Sequence, residues 1–167
     1  MIKDYSIIAI RIFLLILFQV IIFNNINLFG IINPIVYLLF ILLYRFDSSQ
    51  INLLLLSFTI GIIIDLFSNT AGANTIATIT VSFLRPVLIK FSLGDVYGFN
   101  SLLNRNIRVL NKLIFIFLIV FIHQLIMSFV EYFNFIMIMS IIKNTIFNSF
   151  FSFIILLGLL NFYNLKS

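Results

Sequence analysis

The chain has 167 residues, 63% of them hydrophobic and 9% charged, with a mean hydropathy of +1.25. A soluble domain of this size needs a polar shell that such a composition cannot supply. Cysteine is absent, which excludes disulfides, thiolate metal sites and a cysteine nucleophile. The formal charge of +5, in a chain this apolar, reports membrane topology and not nucleic-acid binding. The predicted fold is an all-α integral membrane protein, a six-helix bundle in a single transmembrane domain over residues 1–167. Six crossings of roughly 20 residues each consume about 120 residues and leave only short loops.

The first predicted span covers residues 7–23, interrupted by Arg11, which can snorkel, and by Gln19. Its apolar stretch is too long for a cleavable signal and no small-residue cleavage site follows, so it is read as a retained helix. A polar turn at Asn24, Asn25 and Asn27 leads to a second, short span over 33–44, with Pro34 placed where a helix's first turn needs no donor. A loop of Arg45, Asp47, Ser48, Ser49 and Gln50 precedes the third span, 51–67, which ends at the tight polar turn 68–72. The fourth span, 73–91, is rich in Thr and Ser and carries Arg85-Pro86 near its far end, where a kink is expected. Residues 92–111 form a basic loop with Gly94 and Gly98 as breakers. The last two spans, 113–130 and 141–163, are separated around Glu131 and Asn134.

With six spans, Lys3, Arg11, Arg45, Arg85, Lys90, Arg105, Arg108, Lys112 and Lys166 share one side, and only Lys143 falls on the other. Short loops rich in Lys and Arg stay in the cytoplasm. The predicted location is therefore an inner (cytoplasmic) membrane, with both termini cytoplasmic.

Asp65 is the residue most in need of an explanation, because an acid at the bilayer centre costs about 2.5–3.5 kcal/mol on insertion scales. It lies about one turn from the outer end of the third span, which lowers that figure. Gly61 and Ser57, four and eight residues earlier, put small side chains on the same face, where a neighbouring helix can approach closely. One reading makes Asp65 an acceptor for backbone donors of the 68–72 turn or of the start of the fourth helix. The other makes it a functional site. Two polar stripes recur at intervals of four, Asn74, Thr78 and Ser82 on the fourth span and Asn144, Asn148 and Ser152 on the sixth. Such stripes knit helices together or line a hydrated cavity, and packing is the favoured reading. Lys143 and Glu131 fall near the outer face, where an ion pair or solvation accounts for them. His123 and Gln124 lie inside the fifth span, but a lone His without a second ligand or a nucleophile at suitable spacing marks neither a metal site nor a catalytic one. No cofactor motif is present.

The run from Gly61 through Asp65, Leu66 and Ser68, followed by Gly72 and a Thr-bearing helix, resembles the rod-shape-determining MreD family, whose signature is Gly-x3-Asp-Leu-x-Ser with a glycine turn close behind. Length, six spans, Pro34, Tyr44 and Glu131 fit that family's outline, with Ile35 departing from the polar residue often found there. The resemblance implies a non-enzymatic scaffold of cell elongation and peptidoglycan synthesis, without cofactor. Its implied partners are a membrane-anchored MreC-type protein and, with it, MreB, RodA and a class B penicillin-binding protein; a homodimer is compatible with the sequence. It also implies a fold similar to the substrate-binding components of energy-coupling-factor transporters, with an outward cavity. Gly61, Asp65, Ser68, Gly72 and Asn74 are then the candidate structural or partner-binding residues.

Two other functions stand beside this one. A vitamin-binding transporter component is suggested by six spans, the polar stripes and the basic loop. The series Ala9, Phe13, Leu17 lacks the small residues that such components use at this spacing to couple to their transporter. An intramembrane enzyme acting on lipid-linked substrates through Asp65, His123 and Glu131 is the third class.

Overall fold

A computed structural model of the chain describes residues 10, 12–24, 33–46, 48–94, 102, 104, 106–133 and 135–164. Lys3, Arg11, Arg105 and Lys166, four of the cations behind the orientation, lie outside these residues, as do Asn25, Asn27, Asp47, Asp95, Gly98 and Asn134.

The described residues form helices and connecting turns, with no strand among them. Helix α1 is Ile12–Phe23, α2 Leu39–Leu43, α3 Gln50–Ser68, α4 Ala73–Leu93, α5 Val109–Tyr132 and α6 Ile138–Asn164, the last entered by a 3-10 turn, Phe135–Met137. Four of them, α3 to α6, are long and apolar enough to cross a membrane. At 1.5 Å per residue their 19 to 27 residues extend roughly 28–40 Å, enough for a hydrocarbon core of about 30 Å. Their outward faces carry bare hydrophobic side chains, such as Leu66, 78% exposed, and Phe91, 76% exposed, which lipid and not water would cover. Consecutive helices α3 and α4, α4 and α5, and α5 and α6 pack against each other, and α1 packs against α3.

The third to sixth predicted spans coincide with α3 to α6, each observed helix reaching to or slightly beyond the expected ends. The first is described from residue 10, and its last turn, Gln19–Phe23, is widened: the Asn24 N–H reaches back five residues to the Gln19 carbonyl at 2.8 Å. The second departs from expectation. Pro34 does not open a helix. Residues 33–36 lie outside any helix, a turn follows at Tyr37 and Leu38, and α2 has only 5 residues. Helix α2 alone is about 7.5 Å long, a quarter of the bilayer core.

Such backbone survives at membrane depth only where protein satisfies its polar groups, and here the donors are matched almost residue by residue. The Asn33 N–H donates to Asn148 Oδ1 at 2.9 Å, and the Ile35 N–H to Ser152 Oγ at 2.9 Å. The N–H groups of Val36 and Tyr37 both donate to Gln19 Oε1, at 2.7 and 3.4 Å. Pro34 has no N–H, and its carbonyl accepts from Gln19 Nε2 at 3.1 Å. From Leu39 onward the donors return to carbonyls three or four residues back. Residues 34–42 are all buried, and Tyr37, Leu38, Ile41 and Leu42 pack with Leu53, Ile60 and Ile64 of α3, Val81 of α4, Phe115 and Ile119 of α5 and Leu156 of α6. This segment is the axis around which the long helices are arranged.

Its far end is held by Arg85, on α4 beside Pro86. Arg85 is buried in protein: it is 3% exposed, donates to the Tyr44 carbonyl, and holds its guanidinium 5.7 and 5.4 Å from the rings of Tyr44 and Phe46.

Candidate functional site

The turn between α3 and α4 is compact because three of its residues adopt left-handed backbone: Asn69 with φ 56°, Ala71 with φ 48° and Gly72 with φ 95°. Asn69 ends α3 by returning its N–H to the Asp65 carbonyl. Gly72 then occupies the N-cap of α4, where a side chain ordinarily accepts from the second and third helical N–H groups. Glycine has none to offer. Asp65, one turn back on α3, fills the role: Oδ1 accepts the Asn74 N–H at 3.0 Å and Oδ2 the Thr75 N–H at 2.9 Å. The hydroxyls of Thr70 and Thr75 add a bond each at 2.5 Å, and Asn74 Nδ2 another at 3.1 Å. The negative charge lies at the positive end of the α4 dipole. The acid is thus matched by five donors, which removes the penalty of an unpaired carboxylate in an apolar span.

Gly61 makes the close approach of α3 to α4 possible. A methyl group at Gly61 would stand 2.5 Å from the Thr75 Cα, inside the contact distance of any real side chain. Deeper in the bundle the same two helices meet through Ser57 and Ser82, whose hydroxyls are 2.5 Å apart.

From Asp65 a directed chain of hydrogen bonds runs into the bundle. Asn74 turns its Nδ2 toward Asp65 and Thr70, so its Oδ1 faces the other way and accepts from the Tyr37 hydroxyl at 3.1 Å. The Thr78 hydroxyl donates to the Asn74 carbonyl at 2.6 Å. Both hydroxyl protons are then committed. The His123 Nε2, 2.8 Å from the Tyr37 oxygen and 3.3 Å from that of Thr78, must be the donor to them. That places the proton on Nε2 and leaves Nδ1, buried and without a partner, as a bare acceptor. The Tyr37 and His123 rings meet edge to face, centroids 5.6 Å apart.

A second set of polar contacts ties α1 to the same end of the bundle. Gln19 Nε2 donates to Asn24 Oδ1 at 3.0 Å, and Asn24 Nδ2 to Ser68 Oγ at 2.7 Å. Between these residues and the end of α5 lies a cavity of about 390 Å³, lined by Asn33, Ser68, Thr70 and Asn74 on one side and by Met127 and Glu131 on the other. On the opposite side of the α3–α4 turn, an open groove of about 460 Å³ runs past Ile62, Leu66 and Gly72 to Asp65 and Thr75.

All five candidate residues belong to this joint. Gly61, Asp65 and Gly72 shape it, Ser68 joins it to α1, and Asn74 links it to the interior. Both polar stripes knit the bundle: Asn144 reaches the Tyr132 hydroxyl at 2.6 Å, while Asn148 and Ser152 hold residues 33 and 35. His123 is wholly buried, and its hydrogen-bond partners are Tyr37 and Thr78, not Asp65 or Glu131. Sequence reasoning passed over Tyr37 and Thr75, and it noted Gln19 and the 68–72 turn that holds Thr70 without naming their side-chain partners. Gln19 carried a signal, since an amide inside an apolar span needs partners; Tyr37 carried none.

No family model, curated protein or solved structure matches the chain.

Proposed function

We propose that the protein is a non-enzymatic membrane scaffold of the bacterial cell-elongation machinery, of the MreD kind, binding an MreC-type partner at the end of the bundle formed by residues 65–74. One observation carries this reading. The residues of the MreD-like signature, Gly61, Asp65, Ser68 and Gly72, are parts of one joint, and that joint borders an open groove of about 460 Å³. The distribution of the ten Lys and Arg residues supports a six-span arrangement in the inner membrane, with this end facing out and both termini in the cytoplasm. Through its partner the scaffold would act alongside MreB, RodA and a class B penicillin-binding protein.

The test is recovery of the complex and the shape of the cell. The protein should co-purify from detergent with an MreC-type single-span partner, and its depletion should round up rod-shaped cells. A protein that elutes alone, from cells that keep their shape when it is removed, refutes the proposal.

The cavity of about 390 Å³ favours a second reading, the substrate-binding component of a small-molecule transporter. Tight, stoichiometric retention of a vitamin by the purified chain would put that reading first.

A further inference from the structure

Pro86 takes a donor out of α4. It has no N–H to offer the Ser82 carbonyl four residues back, and a proline ring also crowds that carbonyl, so the helix lacks one of its own bonds at this turn. The replacement donor comes from another helix. Gln50, the first residue of α3, gives an Nε2 proton to the Ser82 carbonyl at 2.7 Å. Arg85, beside the proline, donates to the carbonyl of Tyr44, the residue that ends α2. Tyr44 and the start of α3 are themselves tied together, because the Tyr44 hydroxyl donates at 3.0 Å to the Ser49 carbonyl, which also accepts the Leu53 N–H at 3.3 Å. Tyr44 and Gln50, at the two ends of the α2–α3 connection, are thus both fastened to the one turn of α4 that its own backbone does not close.

The two halves of α4 are moored differently. Before the proline, directed polar contacts hold it to its neighbours: Thr75 to Asp65, Asn74 and Thr78 to Tyr37, and Ser82 to Ser57. After it, residues 87–93 pack through Leu88, Ile89 and Leu93, while Val87 and Phe91 face outward, 65% and 76% exposed. The Ser92 hydroxyl returns to the Leu88 carbonyl of its own helix. Apolar contacts have no preferred direction and set no angle by themselves.

We infer that α4 hinges at Pro86 and that Tyr44 and Gln50 are the latch that sets the angle of its last two turns. Hinges are a few residues at which the backbone can absorb a change of angle, and the turn between Ser82 and Pro86 has given up the bond that would resist one. Arg45, Ser48 and Ser49 of the connection are exposed. A contact that draws Tyr44 or Gln50 away from α4 releases residues 87–93, and the Asp65 joint at the other end of the helix stays fixed. The inference does not rest on the scaffold reading.

The chain has no cysteine, so spin-labelled pairs can be introduced without removing any. One pair, Ile51→Cys with Phe91→Cys, spans the hinged end of α3 and α4, and the other, Leu66→Cys with Ile76→Cys, spans the Asp65 joint; all four side chains are exposed. In the intact detergent-solubilised chain both pairs should give a narrow distance distribution by pulsed electron paramagnetic resonance. Gln50→Leu should shift or broaden the first and leave the second as it was. Adding Pro86→Ala restores an N–H for the Ser82 carbonyl, so the first distribution should narrow again, and the fall in Tm caused by Gln50→Leu should be at least halved. Should Gln50→Leu fail to fold, the double variant should fold. A first pair already broad before Gln50 is replaced, an unchanged first pair in folded Gln50→Leu, or equal broadening of both pairs overturns the inference. So does a double variant that recovers neither distance nor Tm, or that does not fold.

Discussion

Asp65 and Thr75 are joined twice, the Thr75 N–H at 2.9 Å and its hydroxyl at 2.5 Å both donating to Oδ2 of the carboxylate. Thr70 and Asn74 occupy the other oxygen. One side chain therefore holds the turn through Thr70 and caps α4, the second a task that the glycine at the N-cap cannot perform.

Replacing Asp65 by Asn keeps the shape but removes the charge and turns one acceptor into a donor facing donors. Hydrogen bonds to charged groups contribute about 1.5–3 kcal/mol each, and buried donors left unmatched add to the loss. Asp65→Asn should lower stability by at least about 2 kcal/mol, which for a chain of this size is a fall in Tm of roughly 4–8 °C. Thermal unfolding in detergent measures it, and an unchanged melt would show that the cap contributes nothing.

Gly61 and Gly158 are both helical glycines, yet they should answer alanine oppositely. At Gly61 the added methyl meets the Thr75 backbone at 2.5 Å, and overpacking of this kind costs about 1–3 kcal/mol. At Gly158 nothing lies within 4 Å, and alanine is the better helix former by about 1 kcal/mol. Gly61→Ala should destabilise and Gly158→Ala should be neutral or stabilising, as read from paired melting curves. Equal effects would mean that the α3–α4 contact is looser than the structure has it.

Asp65 and Gly61 were legible in the sequence because their signals are local. A carboxylate in an apolar span needs partners wherever the span packs, and Gly61 four residues before it on the same face marks a close approach. The stripe of Asn74, Thr78 and Ser82 was legible through its period, and its partners confirm a knitting role. The central segment was not legible. Pro34 before an apolar run reads equally as the first turn of a helix or as extended chain, and the choice is made by Asn148 and Ser152, 115 and 117 residues away in sequence from the groups they accept. The meeting of Tyr37 with His123 spans 86 residues and is likewise invisible to any local pattern.

The central segment also gives a prediction. Gln19 Oε1 is the shared acceptor of Val36 and Tyr37, and its Nε2 holds the Pro34 carbonyl. Gln19→Leu leaves all three groups unmatched in a buried place, a loss of about 1–3 kcal/mol per group before relaxation. The segment should loosen first. Hydrogen exchange of the amides at residues 35–37 should accelerate by at least tenfold relative to those in the middle of α5. Uniform acceleration across the chain would mean instead that Gln19 supports the whole bundle and not this segment.

The last prediction concerns one proton. The Thr78 hydroxyl is committed to the Asn74 carbonyl and the Tyr37 hydroxyl to the Asn74 side-chain oxygen, whose orientation Asp65 sets through Nδ2. His123 must then donate through Nε2, and its Nδ1 carries a free lone pair. Nitrogen-15 spectra of the histidine-labelled protein should show a protonated Nε2 and a bare Nδ1. In Tyr37→Phe the Nε2–H keeps only the longer contact to Thr78, at 3.3 Å, so its resonance should move while Nδ1 stays bare. In Asp65→Asn the amide of Asn74 is free to turn over. The Tyr37 hydroxyl would then lose its acceptor and become available as a donor to the ring, and the tautomer should become mixed. A proton found on Nδ1 in the wild type would reverse the direction of the chain and break its dependence on Asp65.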